Sequence, residues 1–213
     1  MNNLVFLEPN HIESEPFTTS DVIAEYADVK RETIMRLILK HKTDLEEFGQ
    51  LGFKIRPLLS GKNEKVWNLN EQQATLLITY LKNTEPVRRF KKELVRQFYA
   101  MRAELQTRHV RREELKPVRR SLTDVIQERH PDDRWMYKHC TNLAYKSVMG
   151  KNAVQIRKER DAPPRAIAVE YLTAAELSAV TRAEEQIAVL LDMGMDYIQV
   201  KVLLMNRLAA KSA

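Results

Sequence analysis

Residues 19–41 read TSDVIAEYADVKRETIMRLILKH, and this stretch decides the fold. Thr19 or Ser20 can accept a free N–H of the first helical turn, and behind that cap Val22, Ile23 and Tyr26 share one helix face. Asp28-Val29 breaks the pattern as a turn. From Lys30 to His41 the residues Ile34, Leu37, Ile38 and His41 then recur at three-and-four spacing, which predicts a second amphipathic helix. Its opposite face carries Thr33, Arg36 and Lys40, with Lys30 and Arg31 on its first turn. Two short helices joined by a tight turn, the second showing cations to solvent, predict a helix-turn-helix.

Outward from there the period changes. Phe53-Lys54-Ile55-Arg56 alternates apolar and basic, Ser60-Gly61-Lys62-Asn63 reads as a turn, and Glu64-Lys65-Val66-Trp67-Asn68-Leu69 returns as a second strand. A hairpin with Lys62 and Lys65 near its tip completes a winged helix-turn-helix, the two lysines standing where a wing approaches a phosphate backbone. Pro57 is expected at an edge or bulge. Asn70 caps a third helix bearing Leu76, Leu77, Tyr80 and Leu81, and Leu4 to Leu7 is read as an added edge strand.

Thr84, Glu85 and Pro86 start a further helix, because threonine caps well and proline is tolerated in a first turn. Along it Val87, Phe90, Leu94, Phe98, Met101 and Leu105 recur at heptad-like spacing. This stripe is read as a self-association seam of a homo-oligomer, the alternative being that it packs back on its own domain. Either arrangement leaves Arg88, Arg89, Lys92, Arg96 and Arg102 toward water. Residues 108–120, with Pro117 and few apolar side chains, read as the tail of this helix and a linker. The net charge of +6 is concentrated here: residues 1–86 carry −3, 87–120 carry +8 and 121–213 carry +1. A basic element this dense suits phosphate neutralisation, since each contact releases condensed counterions.

The blocks Asp44-Leu45-Glu46-Glu47-Phe48-Gly49, Leu69 to Leu77, Asn83-Thr84 and Phe90 to Tyr99 occur in order. Together they resemble the phage regulatory protein Rha family over about residues 15–105. The resemblance implies a transcriptional regulator or antirepressor encoded by a temperate phage or prophage.

The remaining chain reads as helices. One is expected from Ser121 to His130, one from Arg134 to Val148 closed by Gly150, and one from Asn152 to Arg160. Thr173 and Glu176 form a capping box for a long helix, Met193-Gly194 stops it, and Asp196 caps a last helix. Cys140 to Lys146 and Leu191 to Tyr197 resemble C-terminal regions of phage antirepressor-type proteins. The expected fold class is therefore α+β: residues 1–86 a winged helix-turn-helix, 87–120 a long basic helix and linker, 121–213 an all-α domain.

With 213 residues, 44% hydrophobic and 30% charged, the chain is long enough to bury real cores and is not a disordered polymer. The start MNNLVFLEPN has neither a basic head nor a long apolar segment, so no signal peptide or membrane contact is expected and the place of action is the bacterial host cytoplasm. The single cysteine, Cys140, fits a reducing compartment and a core thiol. His130, Asp132, Asp133, His139 and Cys140 meet no recognised ligand spacing, so no metal is expected. Without a phosphate-binding glycine loop or a nucleophile elbow, neither a cofactor nor an enzyme is expected. Two classes of partner remain: duplex DNA, gripped by Lys30, Arg31, Thr33, Arg36, Lys40, Lys62, Lys65, Arg88, Arg89, Lys92 and Arg96, or a phage repressor protein inactivated without DNA being read.

Overall fold

The computed structural model describes residues 3–8, 10–57 and 63–212, with side chains as far as 206. A three-residue strand, β1 (Phe17–Thr19), hands over directly to α1 (Ser20–Tyr26), and Thr19 Oγ1 accepts the N–H of Val22 at 3.3 Å. Thr19 rather than Ser20 is thus the cap. Asp28 takes a left-handed φ of 52°, a conformation that short polar side chains tolerate, and turns the chain into α2 (Arg31–Lys40). Next comes α3 (Lys42–Glu46), a five-residue helix that periodicity alone does not reveal.

Strands β2 (Gly52–Pro57) and β3 (Asn63–Asn70) pair antiparallel with Phe53 opposite Trp67 and Arg56 opposite Glu64. Strand β1 pairs on the other side of β3, giving a three-stranded sheet in the order β1-β3-β2. The segment expected as an edge strand, Leu4 to Leu7, contributes a single bridge from Phe6 to Phe17. Pro57 ends the outer strand β2, where its missing N–H leaves no gap in the interior of the sheet. Asn70 then starts α4 (Glu71–Thr79) with a reciprocal capping box to Gln73, and Gln73 Nε2 donates to the carbonyl of Gly49 at 2.7 Å.

Helix α5 runs from Glu85 to Arg129, 45 residues. The expected helix tail and linker over 108–120 is helical throughout, and the helix expected to begin at Ser121 is its last stretch. Pro117 removes one backbone donor, but it is exposed, so water can serve the orphaned carbonyl of Glu113. Around it Leu115 and Leu122 are fully buried and hold the helix in place.

The chain divides into two compact units. The first takes in the chain up to Glu8 and Ser14–Ala103; the second takes in the segment before Ser14 and everything from Glu104 on. The core of the first unit gathers Ile23, Ile34, Ile38 and Leu45 from α1 to α3, Leu69 from β3 and Leu77 from α4. Val87, Phe90, Leu94 and Phe98 belong to the same core, with Met101 packed against it, and Leu105 further along α5 is also buried. This corrects the reading of the stripe as a self-association seam: its apolar face is already covered by the chain's own side chains. A heptad spacing records one apolar helix face and not which surface covers it.

In the second unit α5 is followed by α6 (Met136–Met149), α7 (Ala153–Glu159), a short 3-10 turn at Ala168–Tyr171, α8 (Ala174–Asp192) and α9 (Tyr197–Ser212). Gly150 closes α6 with a left-handed φ of 69°, as its lack of a side chain allows. Asn152 with Gln155 and Thr173 with Glu176 form capping boxes, and Asp196 Oδ1 accepts the N–H of Gln199 at 2.9 Å. Cys140 is fully buried among Leu143, Leu177 and Ile187, and burial pushes its thiol up to about 12, so it stays protonated as core. One ion pair lies inside: Arg119 Nε and Nη2 each donate to Glu184 at 3.1 Å, and Nη2 also donates to the Tyr145 hydroxyl at 3.1 Å. Among the described residues no helix is long and apolar enough to cross a membrane.

Candidate nucleic-acid interface

Helix α2 divides its residues as the sequence predicts. Ile34 and Ile38 are fully buried, while Thr33, Arg36 and Lys40 follow one another along the opposite side, Arg36 and Lys40 exposed and Thr33 half-buried. Lys30 is exposed at the N-cap. Among the described residues none of Lys30, Arg36 and Lys40 has an ion-pair partner, so each carries an uncompensated charge.

Arg31 has a different environment. Its Nε donates to Asp21 Oδ1 at 2.7 Å, its Nη2 donates to the carbonyl of Lys65 at 2.7 Å, and it pairs with Glu64. Arg56 bridges the same two acids, at 2.7 Å to Asp21 Oδ2 and 2.7 Å to Glu64 Oε2. Two guanidinium groups and two carboxylates cancel, so Arg31 ties α2 to the hairpin and adds no net charge to the surface. Where the sequence predicts a phosphate contact at Arg31, the structure places a charge network completed by Arg56 and Glu64, which face each other across β2 and β3.

On the hairpin, Lys65 is exposed, its Nζ 4.4 Å from the centre of the Phe53 ring and 5.9 Å from that of Trp67. Those rings position the ammonium by cation–π attraction without neutralising it. Lys62, predicted at the tip, lies outside the described residues. Lys54 is paired with Glu8.

Arg88, Arg89, Lys92 and Arg96 form one exposed stripe on α5, on the side opposite Phe90, Leu94 and Phe98. Arg96 reaches Glu93 at 3.6 Å, a weak surface pair; among the described residues the other three have no ion-pair partner. Arg102 sits 3.4 Å from Glu71. The first unit therefore presents three basic features, on α2, at Lys65 and on α5.

Residues 18–103 match the family model for phage regulatory protein Rha. The Rha match begins within β1 and ends at Ala103, the residue at which the first compact unit ends. It spans α2, the hairpin and the basic stripe of α5, and it does not extend to 104–213, where the likeness to antirepressor-type regions finds no support. No curated protein matches the chain.

Proposed function

We propose that this chain is a non-catalytic phage or prophage transcriptional regulator whose first unit binds duplex DNA as a winged helix-turn-helix, in the cytoplasm of the bacterial host. In this reading α2 enters the major groove with Thr33, Arg36 and Lys40 toward base edges and phosphates. The hairpin serves as the wing through Lys65, and Arg88, Arg89, Lys92 and Arg96 meet the backbone. The observation that carries it is the uncompensated stripe of α2, opposite Ile34 and Ile38, within a region that matches the Rha model. A mobility-shift assay with the full chain and random-sequence duplex at low salt tests it. A retarded complex is expected, and free duplex at every protein concentration would overturn it.

A second reading, an antirepressor that captures a phage repressor protein without reading DNA, draws on a specific observation. Strand β2 is one of the two outer strands of the sheet, and on it Phe53 is 44% and Ile55 59% exposed. An edge strand with exposed apolar side chains is a template for another chain. The −3 balance of residues 1–86 favours the same reading. Capture of the cognate repressor by protein whose DNA binding has been abolished supports this alternative.

A further inference from the structure

The second unit carries a basic surface of its own. Trp135 stands at the N-cap of α6 with 49% of its surface exposed. Two cations flank its ring, Arg134 Cζ at 5.1 Å and Lys138 Nζ at 5.2 Å from the centroid. At the helical repeat, His139, Asn142 and Lys146 continue from Trp135 along one face of α6, over a length of about 16 Å. At the far end this face forms one wall of a cleft of about 250 Å³. His139, Asn142 and Lys146 line it from α6, Tyr197 and Lys201 from α9, and Asn152 from between α6 and α7.

The cations here are unpaired. Among the described residues Arg134, Lys138, Lys146 and Lys201 have no ion-pair partner, and no carboxylate lines the cleft. Asp132, Asp133 and Asp196 are close in sequence and keep their charge, Asp133 while accepting the N–H of Trp135 at 2.9 Å and Asp196 while capping α9; Glu159 is paired with Lys151.

A half-exposed aromatic ring with two mobile-chain cations over it, followed by a lysine-lined cleft, meets the two needs of an unpaired nucleotide strand: a π-face that a base takes by displacing a cation, and positive charge for the phosphates. A duplex keeps its base faces stacked and cannot use the ring. We propose that the face of α6 from Trp135 to Lys146, with Lys201 of α9, binds single-stranded nucleic acid. A base stacks on Trp135, and phosphates lie on Lys138, Lys146 and Lys201. This site is separate from the duplex reading of the first unit and stands without it.

The chain has two tryptophans, and the other, Trp67, is 6% exposed and lies beside Lys65, so the titrations use the full chain with Trp67→Phe, in which emission changes on ligand addition report Trp135. Titrating the full chain with an unlabelled thymidine dodecamer should quench that emission, and the same length of duplex should not. Lys146→Ala with Lys201→Ala should weaken binding of a labelled dodecamer and flatten its log-affinity against log-salt slope by about 1.4, at about 0.7 per lost single-strand phosphate contact. Trp135→Ala, at an exposed position, should lower the affinity about tenfold or more. Unquenched emission at saturating dodecamer, equal quenching by duplex, or unchanged affinity in both variants would each overturn the proposal.

Discussion

Removing the Glu184 carboxylate should unfold much of the margin by which the second unit is stable. Glu184 is fully buried and the Arg119 side chain is 17% exposed, so the pair is shielded from solvent screening. Glu184→Ala takes away every carboxylate contact of Arg119 and leaves the guanidinium with the Tyr145 hydroxyl. An uncompensated buried charge of this kind costs about 3–5 kcal/mol. With a urea dependence of about 2 kcal/mol per molar, the midpoint should fall by about 2 M. Replacing the whole network by apolar groups of similar volume, Arg119→Met, Glu184→Met and Tyr145→Phe together, should restore stability to within about 1 kcal/mol of the natural chain, because neither charge is then left alone. Urea denaturation followed by Trp135 emission in a Trp67→Phe background reports the unit that contains the pair. A loss below about 1 kcal/mol for Glu184→Ala, or a triple variant as unstable as the single one, would refute the reasoning.

Phe98→Ala should cost about 3–5 kcal/mol in the first unit without changing the sedimentation mass, since Phe98 fills the core of its own chain; a change of mass at unchanged stability would return it to an intersubunit seam. Thr173→Ala should cost about 1 kcal/mol by opening the capping box of α8, as read from thermal unfolding. Burial opposes ionisation of Glu104, yet the Ala174 N–H and the Arg108 guanidinium outweigh it and hold this carboxyl below its usual range. Its contribution is therefore present above the unfolded-state pKa and lost as pH falls through the lower folded value, so Glu104→Gln should cost stability at neutral pH and that deficit should shrink toward acid pH, in denaturation midpoints measured across that range.

The sequence discloses most where a single side chain does a local job. Thr19, Asn70, Thr173 and Asp196 all cap helices where their spacing placed them, because a cap depends on a backbone donor two or three residues away. The hairpin was legible in the alternation of 53–56, and the basic stripe of α2 in the three-and-four spacing of its apolar partners. Short elements were not: β1 has three residues and α3 five, too few to display a period. The continuity of α5 through Pro117 was hidden because proline signals a break locally, while Leu115, Arg119 and Leu122 hold the helix through contacts distant in sequence. The role of Arg31 was hidden for the same reason, since Asp21 and Glu64 reach it only once α1 and the hairpin have folded. The surface of Trp135 and Lys146 is not legible in the sequence, because Tyr197 and Lys201 join it only once α9 has folded beside α6.

The salt dependence of duplex binding tests the central claim most directly. Log affinity of the full chain for a labelled duplex, measured by fluorescence anisotropy between 50 and 200 mM salt, should fall linearly with log salt, and Arg36→Ala with Lys40→Ala should flatten the slope by about 1.8, at about 0.9 per lost phosphate contact. Over that fourfold range the natural chain should lose about twelvefold more affinity than the variant. Equal slopes for the two proteins, or no binding by the natural chain at the lowest salt, would contradict the assignment of α2 as the helix that meets DNA.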